Sequence, residues 1–204
     1  MGAVYRMLSD LTENELNQRF EMLPNGHPAK APYHIFQQAG DKVRGGVIIG
    51  LGARLQVFQN ASICDITAQD EFDLSRPGRE KCAFFCISSD QDSTFDFLSS
   101  LFFSFLFIKL VRYADAEGVD GKLPIGVNFV LDEFPNLGVI NDFKKKISTV
   151  RSRNIGISVI FQNIAQLKNR YPNDEYLEIL GNCDTQIALG CTDEVTARFI
   201  SNRT

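Results

Sequence analysis

The sequence has no excess of basic residues. It contains 21 Lys and Arg against 25 Asp and Glu, which gives its 204 residues a net charge of −4 and a pI near 5.2. A strongly basic chain is typical of proteins that bind nucleic acid through their overall charge, and this composition excludes that mode of binding. Any contact with DNA is therefore expected to be local, or to arise when several copies assemble.

The cysteines lack the spacing of a metal or redox motif. The five cysteines are odd in number, and no two of them form a Cys-x-x-Cys pair. Cys82 and Cys86 lie four residues apart in an apolar run, where a strand would place both on one face. A metal or redox pair is one interpretation, but we favour buried free thiols in a reducing cytoplasm.

The sequence also lacks a signal peptide and an apolar run long enough to cross a membrane. The longest apolar run, 95–111, falls short of the roughly 20 residues that a span requires. It also contains Asp96 and Lys109. We therefore expect a helix buried between a sheet and a partner, and we expect the fragment to be soluble and cytoplasmic.

The first part of the chain has a helical pattern. Thr12 and Glu15 fit a capping box that opens a helix running to about Leu23. A second stretch, over 32–58, has apolar residues at helical spacing. Its glycines weaken a helix, so a kink or two shorter helices are alternatives. Residues 1–80 are accordingly predicted to be helical.

From Lys81 onward the pattern changes to alternating strand and helix. Strands are predicted at 81–88, 125–131, 157–161 and 185–189, and helices at about 94–116, 142–153, 165–170, 176–181 and 192–201. The helix near 94 is predicted to open with a second capping box, formed by Ser93 and Asp96. This order predicts an α/β domain with a parallel sheet that is covered on both faces.

Two adjacent carboxylates follow one of these predicted strands. Asp132 and Glu133 come directly after an apolar run, at the edge of an α/β sheet where active sites lie. This is the layout of a Walker B element, in which the first acid helps to hold a nucleotide-bound Mg²⁺ and the second polarises the attacking water. A solvated acidic pair that leaves a buried strand is the alternative for this motif alone.

Three further groups lie where they could act on a phosphate. Arg151 and Arg153 end the following helix, where a guanidinium could reach a neighbour's γ-phosphate or simply favour the helix C-terminus. Gln162 ends the next predicted strand and could bond the γ-phosphate or the attacking water, or be an ordinary polar residue. The basic run 144–146 is interpreted as a solvated helix face rather than a DNA contact.

A Walker A loop, Gly-x-x-x-x-Gly-Lys-Ser/Thr, does not occur in the sequence. This loop supplies backbone N–H groups and a lysine to nucleotide phosphates. We therefore expect the chain to be a fragment of an ATPase that is inactive alone and has no useful ATP affinity. We also expect a gap in the sheet beside the Walker B strand, so that two chains dimerise across the open edge or a helix covers it.

Several runs of sequence together resemble the VirD4/TraG (TraG/TraD) coupling proteins of type IV secretion. These runs are 129–138 (FVLDEFPNLG), 149–167 (TVRSRNIGISVIFQNIAQL) and the closing stretch 181–201 with its GNCDT and LGCTD segments. Residues 90–101 (DQDSTFDFLSSL) resemble the Gram-positive members found on mobile elements. The resemblance covers essentially the whole chain.

The resemblance implies a RecA-like P-loop ATPase with an all-α domain inserted between Walker A and Walker B. Residues 1–75 would be that substrate-recruiting insertion, and 76–204 the Walker B half of the nucleotide-binding domain. Asp132 would hold Mg²⁺ through water, Glu133 would be the catalytic base, and Gln162 the γ-phosphate sensor. ATP and Mg²⁺ would be bound by the parent protein.

The same resemblance implies a homo-hexamer in which Arg151 acts in trans as an arginine finger. The parent protein would be a DNA-stimulated ATPase at the cytoplasmic face of the bacterial cell membrane. Its partners would be single-stranded or relaxase-linked DNA, relaxosome proteins and components of the secretion channel. Two other functions stay open: a docking or recruitment module without catalysis, and a ring ATPase of the VirB4 or FtsK/HerA type.

Overall fold

Helices form the described part of the first structural unit, Met1–Phe72, in a computed structural model that describes residues 2–89 and 95–203. They are α1 (Gly2–Asp10), α2 (Glu13–Glu21), α3 (Lys30–Gln38), α4 (Asp41–Leu55) and α5 (Ala61–Ile66), with a 3₁₀ turn at Gln56–Gln59. The second unit is Asp73–Thr204.

Helix α2 begins with the capping box that the sequence predicts. The Glu15 backbone N–H donates to Thr12 Oγ1 at 3.4 Å, and the Thr12 backbone N–H donates to Glu15 Oε2 at 2.8 Å. Each side chain thus satisfies a backbone donor that the first helical turn leaves free, so this prediction is confirmed. The parallel rings of Phe20 and Tyr33, with centroids 3.7 Å apart, join α2 to α3.

The helical stretch predicted over 32–58 consists of two helices and a 3₁₀ turn. The break lies at Ala39 and Gly40, whose ψ angles of 144° and 154° leave the helical region. Of the two alternatives, the structure therefore has two shorter helices. Helix α4 buries none of its residues. Its most exposed large apolar side chains are Val43, Val47, Ile49 and Leu51.

The second unit combines helices with a parallel two-stranded sheet. Its elements are α6 (Asp96–Glu117), β1 (Val127–Leu131), α7 (Phe143–Thr149), β2 (Ile155–Val159), α8 (Ile164–Arg170), α9 (Glu175–Gly181) and α10 (Glu194–Ser201), with 3₁₀ turns at Arg76–Gly78, Phe134–Asn136 and Val150–Arg153. The strand register runs from Val127 opposite Ile155 to Leu131 opposite Val159. The predicted α/β class is thus confirmed in its coarse form, a mixed helical unit with a small parallel sheet.

The core lies on one face of this sheet. Phe129 and Leu131 of β1 are buried, and the ring of Phe107 from α6 stacks on Phe129 with centroids 4.2 Å apart. Val130, which points to the other face, is 67% exposed. The prediction of a sheet covered on both faces is therefore wrong as far as residues 2–89 and 95–203 are concerned.

Two of the predicted strands are not strands in the structure. The described residues form a sheet of β1 and β2 alone, so 81–88 and 185–189 pair with neither of them. The pattern misled because a strand is stabilised by packing and hydrogen bonding to neighbouring strands, and not by its own residues alone. Large apolar side chains in these segments are instead exposed: Phe85, Ile87, Ile187 and Leu189.

The cysteines are free, as predicted, but they are not all buried. Cys82, Cys86 and Cys191 are exposed, whereas Cys64 and Cys183 are half-buried. The prediction of buried thiols is wrong for the first three because the segments that carry them do not enter a sheet. Among the residues that the structure describes, no group of three or more His, Cys, Asp or Glu side chains is placed to hold a metal ion.

Helix α6 has 22 residues and is apolar enough to cross a membrane, judged by length and composition only. The core helix of a soluble protein meets the same criterion, and Phe103, Phe107 and Leu110 of α6 are buried in the core. Phe105, on another side of the helix, is 47% exposed. Ser93 of the predicted capping box, and part of the 90–101 run, lie outside the described residues.

Candidate functional site

The structure brings Glu133 and Gln162 together at one edge of the sheet. The strands are parallel, so their carboxyl ends lie side by side. The pairing continues beyond them, because the Ile160 N–H donates to Leu131 O at 3.0 Å and the Phe134 N–H donates to Ile160 O at 2.9 Å. Gln162 Nε2 then donates to Glu133 Oε1 at 3.1 Å. The chain thus forms a carboxylate–carboxamide pair at the strand ends.

Glu133 has a left-handed backbone conformation, with φ 45° and ψ 44°. For a residue with a side chain this conformation costs roughly 1–2 kcal/mol. The Asn136 N–H donates to Glu133 O at 2.7 Å and closes the 3₁₀ turn that follows. Phe134, the next residue, is fully buried. The turn and the buried ring therefore hold Glu133 in a conformation that redirects its side chain as the strand ends.

One oxygen of the Glu133 carboxyl group has no partner. Oε1 accepts from Gln162, but Oε2 is buried and accepts no hydrogen bond from the described residues. Leaving a buried acceptor unsatisfied costs about 1–3 kcal/mol. Oε2 is closed to solvent here, so a carboxylate that activates water would first have to expose this oxygen.

Asp132 lies beside this carboxyl group but faces solvent. It is exposed, and its Oδ1 accepts from the Glu133 N–H at 3.1 Å. Mg²⁺ in nucleotide sites is commonly held by one or two carboxylates together with phosphates and water. A single accessible carboxylate therefore fits the protein's share of such a site, with the remaining ligands supplied by substrate and solvent.

A cavity of about 400 Å³ opens beside the end of β1. Its volume is within the range of small-molecule sites. Asp132 and Glu133 provide its charged wall, and the rest is lined by Cys86, Ile87, Ser88, Ser89, Phe103, Val130, Asn136 and Leu137. The two acids thus border a space large enough for a ligand.

Arg151 is not part of this edge. It precedes β2, whereas Gln162 follows it, so the strand separates the two residues along the sheet. Arg151 Nη1 donates to Asp184 Oδ2 at 2.6 Å, and the two side chains are 82% and 73% exposed. Such an exposed ion pair contributes about 0–1 kcal/mol and is readily released. Arg153 instead pairs with Asp115 of α6 at 2.9 Å.

Helix α8 is tied down at its first turn, directly after Gln162. Asn163 Oδ1 accepts from the Gln166 N–H at 2.9 Å, which is an N-cap bond. The Ile164 N–H donates to Thr196 Oγ1 at 3.0 Å, and Thr196 is a buried residue of α10. These bonds fix the backbone on which Gln162 is carried.

Two residues at the other end of α8 contact the segment after Glu133, and the sequence did not indicate them. Arg170 Nε donates to Pro135 O at 2.6 Å, and the Ile140 N–H donates to Tyr171 Oη at 3.2 Å. Burial raises the pKa of Tyr171 to about 12. The apolar spacing of Ile164, Leu167 and Tyr171 marks a buried helix face, but it does not reveal what that face contacts.

The basic run 144–146 is largely neutralised by neighbouring groups. Lys144 Nζ lies 3.4 Å from Glu175 and 3.2 Å from Glu178 of α9, and these partners raise its pKa. Partial burial lowers the pKa of Lys146. Lys145 pairs with Asp142 at 3.8 Å. The run therefore anchors α7, which favours the interpretation as a helix face over a DNA contact.

Comparison with known proteins places these elements in one family. Residues 1–204 match the family model described as type IV secretory system conjugative DNA transfer. Protein VirD4 of Rhizobium radiobacter is 24% identical over 204 residues, an alignment that covers 98% of this chain. The chain spans 28% of the length of that relative. No solved structure matched it.

Proposed function

Because this chain belongs to the type IV secretory system conjugative DNA transfer family, with VirD4/TraG-type sequence, we propose that it is the Walker B half of a RecA-like coupling ATPase. The parent protein uses ATP hydrolysis to drive DNA into a secretion channel. The observation that carries the proposal is Glu133, which has one carboxyl oxygen bonded to Gln162 and the other buried without a partner.

In this proposal the Glu133 carboxylate orients and activates the attacking water, and its buried Oε2 becomes accessible to that water when the nucleotide site is completed. Gln162 bonds Oε1 and so orients the carboxyl group, and in this proposal its carboxamide senses the γ-phosphate. Asp132 is exposed on the same cavity and would hold Mg²⁺ through water. When bound, the ion would supply positive charge that neutralises the phosphates.

Arg151 serves the same reaction on a neighbouring subunit. Its position before β2 keeps it from the strand ends where Glu133 lies in its own chain. Its exposed partner Asp184 leaves it free to exchange that ion pair for a phosphate of the adjoining subunit. In the proposed homo-hexameric ring, each active site is completed by such an arginine finger in trans.

The first unit recruits the substrate. Its described residues are helical, and α4 presents exposed apolar side chains, among them Ile49 at 74% exposure. Such a face suits docking of a relaxosome protein or relaxase-linked DNA. The same observation supports the second candidate function, a recruitment module that is not itself catalytic. The family match favours both over a VirB4 or FtsK/HerA-type motor.

The parent protein is proposed to act at the cytoplasmic face of the bacterial cell membrane, bound to channel components. ATP and Mg²⁺ bind only when an upstream phosphate-binding loop completes the site. Without that loop, the 204-residue chain should show no useful ATP affinity by calorimetry.

The test is ATP hydrolysis by the protein extended upstream until a phosphate-binding loop is included. Glu133→Gln should lower kcat by at least about a hundredfold while ATP binding persists, because a carboxamide cannot accept the proton. Glu194→Gln is the matched control, because Glu194 is exposed on α10 and forms an ion pair with Arg198 of the same helix. Normal hydrolysis in the Glu133 variant would contradict the assignment of Glu133 as the catalytic base. A wild-type protein that binds ATP without turnover would favour the recruitment module.

A further inference from the structure

The segment after Glu133 is fastened to the end of α8. Arg170 Nε donates to the carbonyl of Pro135 at 2.6 Å. Tyr171 Oη accepts from the backbone N–H of Ile140 at 3.2 Å. Two consecutive residues of α8 and its cap therefore hold the chain at two points beyond the proposed base.

Arg170 also links this segment to α6. Its Nη2 lies 3.7 Å from Asp96 Oδ2, and both side chains are mostly buried. Gly138 also lies close to the start of α6, because a Cβ there would lie 2.7 Å from Asp96 O. The Arg170 guanidinium thus sits between the start of α6 and the turn that follows Glu133.

The ring of Tyr171 fixes the residue next to Glu133. It stacks on Phe134 with centroids 5.2 Å apart and planes within 6°. Both rings are buried, and Phe143 packs against each of them. With Phe134 held in this way, the backbone at Glu133 has little freedom to leave its left-handed conformation.

A residue in a sparsely populated backbone region keeps it only where its surroundings over-determine it. We propose that Arg170 and Tyr171 are positioning residues that hold Glu133 left-handed, with its carboxyl group against Gln162. Since α8 begins directly after Gln162 and Asn163, a single helix supports both members of the pair. The catalytic consequence of this inference rests on the proposed function, whereas its structural consequence does not.

The structural consequence is measurable in the 204-residue chain. Asn136 N–H donates to Glu133 O, so its exchange with deuterium reports the turn. Arg170→Met should raise that exchange rate by about tenfold or more and move the Glu133 backbone ¹³C shifts away from left-handed values. Arg198→Met is the matched control, since Arg198 pairs with Glu194 at an exposed site on α10. Unchanged exchange and shifts in Arg170→Met would overturn the proposal.

Tyr171→Phe is a second variant for the case in which Arg170→Met does not fold. It keeps the ring that stacks on Phe134 and removes only the oxygen that accepts from Ile140. Faster Asn136 exchange in this variant supports the proposal, and exchange at the wild-type rate counts against it.

The catalytic consequence is measured in the upstream-extended protein. Arg170→Met should lower kcat by about ten- to a hundredfold, because the base is misplaced. KM for ATP should change less than about twofold, and Arg170→Lys should recover part of kcat, since a lysine can still donate to Pro135 O. Equal losses in kcat for both variants, or a loss in ATP binding alone, would contradict positioning. If the wild-type protein has no turnover, the proposed function fails while the exchange measurement still decides the positioning role.

Discussion

Glu133 shows how much of a site depends on the neighbours of one residue. Its left-handed backbone is unfavourable by roughly 1–2 kcal/mol, and one carboxyl oxygen is buried without a donor. Both features are unfavourable, and a local rearrangement of the chain around Glu133 could relieve them. The buried rings of Phe134 and Tyr171, and the bond from Arg170 to Pro135, oppose that rearrangement. Strain retained at a cavity wall is typical of functional positions.

Ionisation of Tyr171 should weaken this support at alkaline pH. Burial raises its pKa to about 12 from an ordinary value near 10. The folded protein therefore binds the phenol proton more tightly than the unfolded chain does. The contribution to stability is complete below pH 10 and falls as pH rises from 10 towards 12, by a total on the order of 3 kcal/mol.

Replacing Tyr171 with Phe should separate these effects. Below pH 10 the free energy of unfolding should fall by about 1–3 kcal/mol, because the Ile140 N–H loses its acceptor. Between pH 10 and 12 the variant should lose less stability than the wild type. Urea unfolding followed by NMR signals of the second unit measures both. Tyr5→Phe in the other unit is the control, and an identical alkaline slope in Tyr171→Phe would contradict the account.

At the scale of elements, the sequence predicted the helices and strands whose local pattern, an apolar run or a capping box, is enough to identify them. Strand β1, which ends at Leu131, and helix α6 both correspond to apolar runs with clear ends. Thr12 and Glu15 marked the start of α2. The segments 81–88 and 185–189 have the same apolar character, yet they need neighbouring strands that the described residues do not supply. Asp132, Glu133 and Gln162 were found as strand ends, whereas Arg170 and Tyr171 act through contacts distant in sequence.

Helix α4 offers a test of whether its exposed face is used. A Cβ added at Gly46 or Gly50 would meet no atom within 4 Å, and glycine in a helix interior is less stable than alanine by about 0.5–1 kcal/mol at each site. Gly46→Ala and Gly50→Ala should therefore each stabilise the first unit by that amount in urea unfolding. If α4 docks a recruited partner, the same variants should weaken relaxosome binding while stability rises.

Gly138→Ala provides the opposite case. Gly138 has φ 78°, and a Cβ would lie 2.7 Å from Asp96 O, so alanine there should destabilise the second unit by more than about 1 kcal/mol. By contrast, a loss of stability in Gly46→Ala or Gly50→Ala would contradict the open space that the structure shows around these two glycines.

At the scale of the whole molecule, the proposed function divides the active site between opposite ends of the strands of one sheet. Glu133 and Gln162 lie where the strands end, and Arg151 lies where β2 begins. In the proposed ring of identical subunits, each interface would bring Arg151 of one copy against Glu133 of the next. The exposed Asp184 partner of Arg151 leaves that guanidinium available.

The most direct test of an active site divided between subunits is ATP hydrolysis in rings that mix two variants of the upstream-extended protein. The assay is run with single-stranded DNA present. Arg151→Ala rings and Glu133→Gln rings should each be inactive. A random equal mixture should regain DNA-stimulated turnover at about a quarter of its sites, where an intact Glu133 meets an intact Arg151. A mixture as inactive as its components, or wild-type turnover in Arg151→Ala alone, would contradict a site shared between subunits.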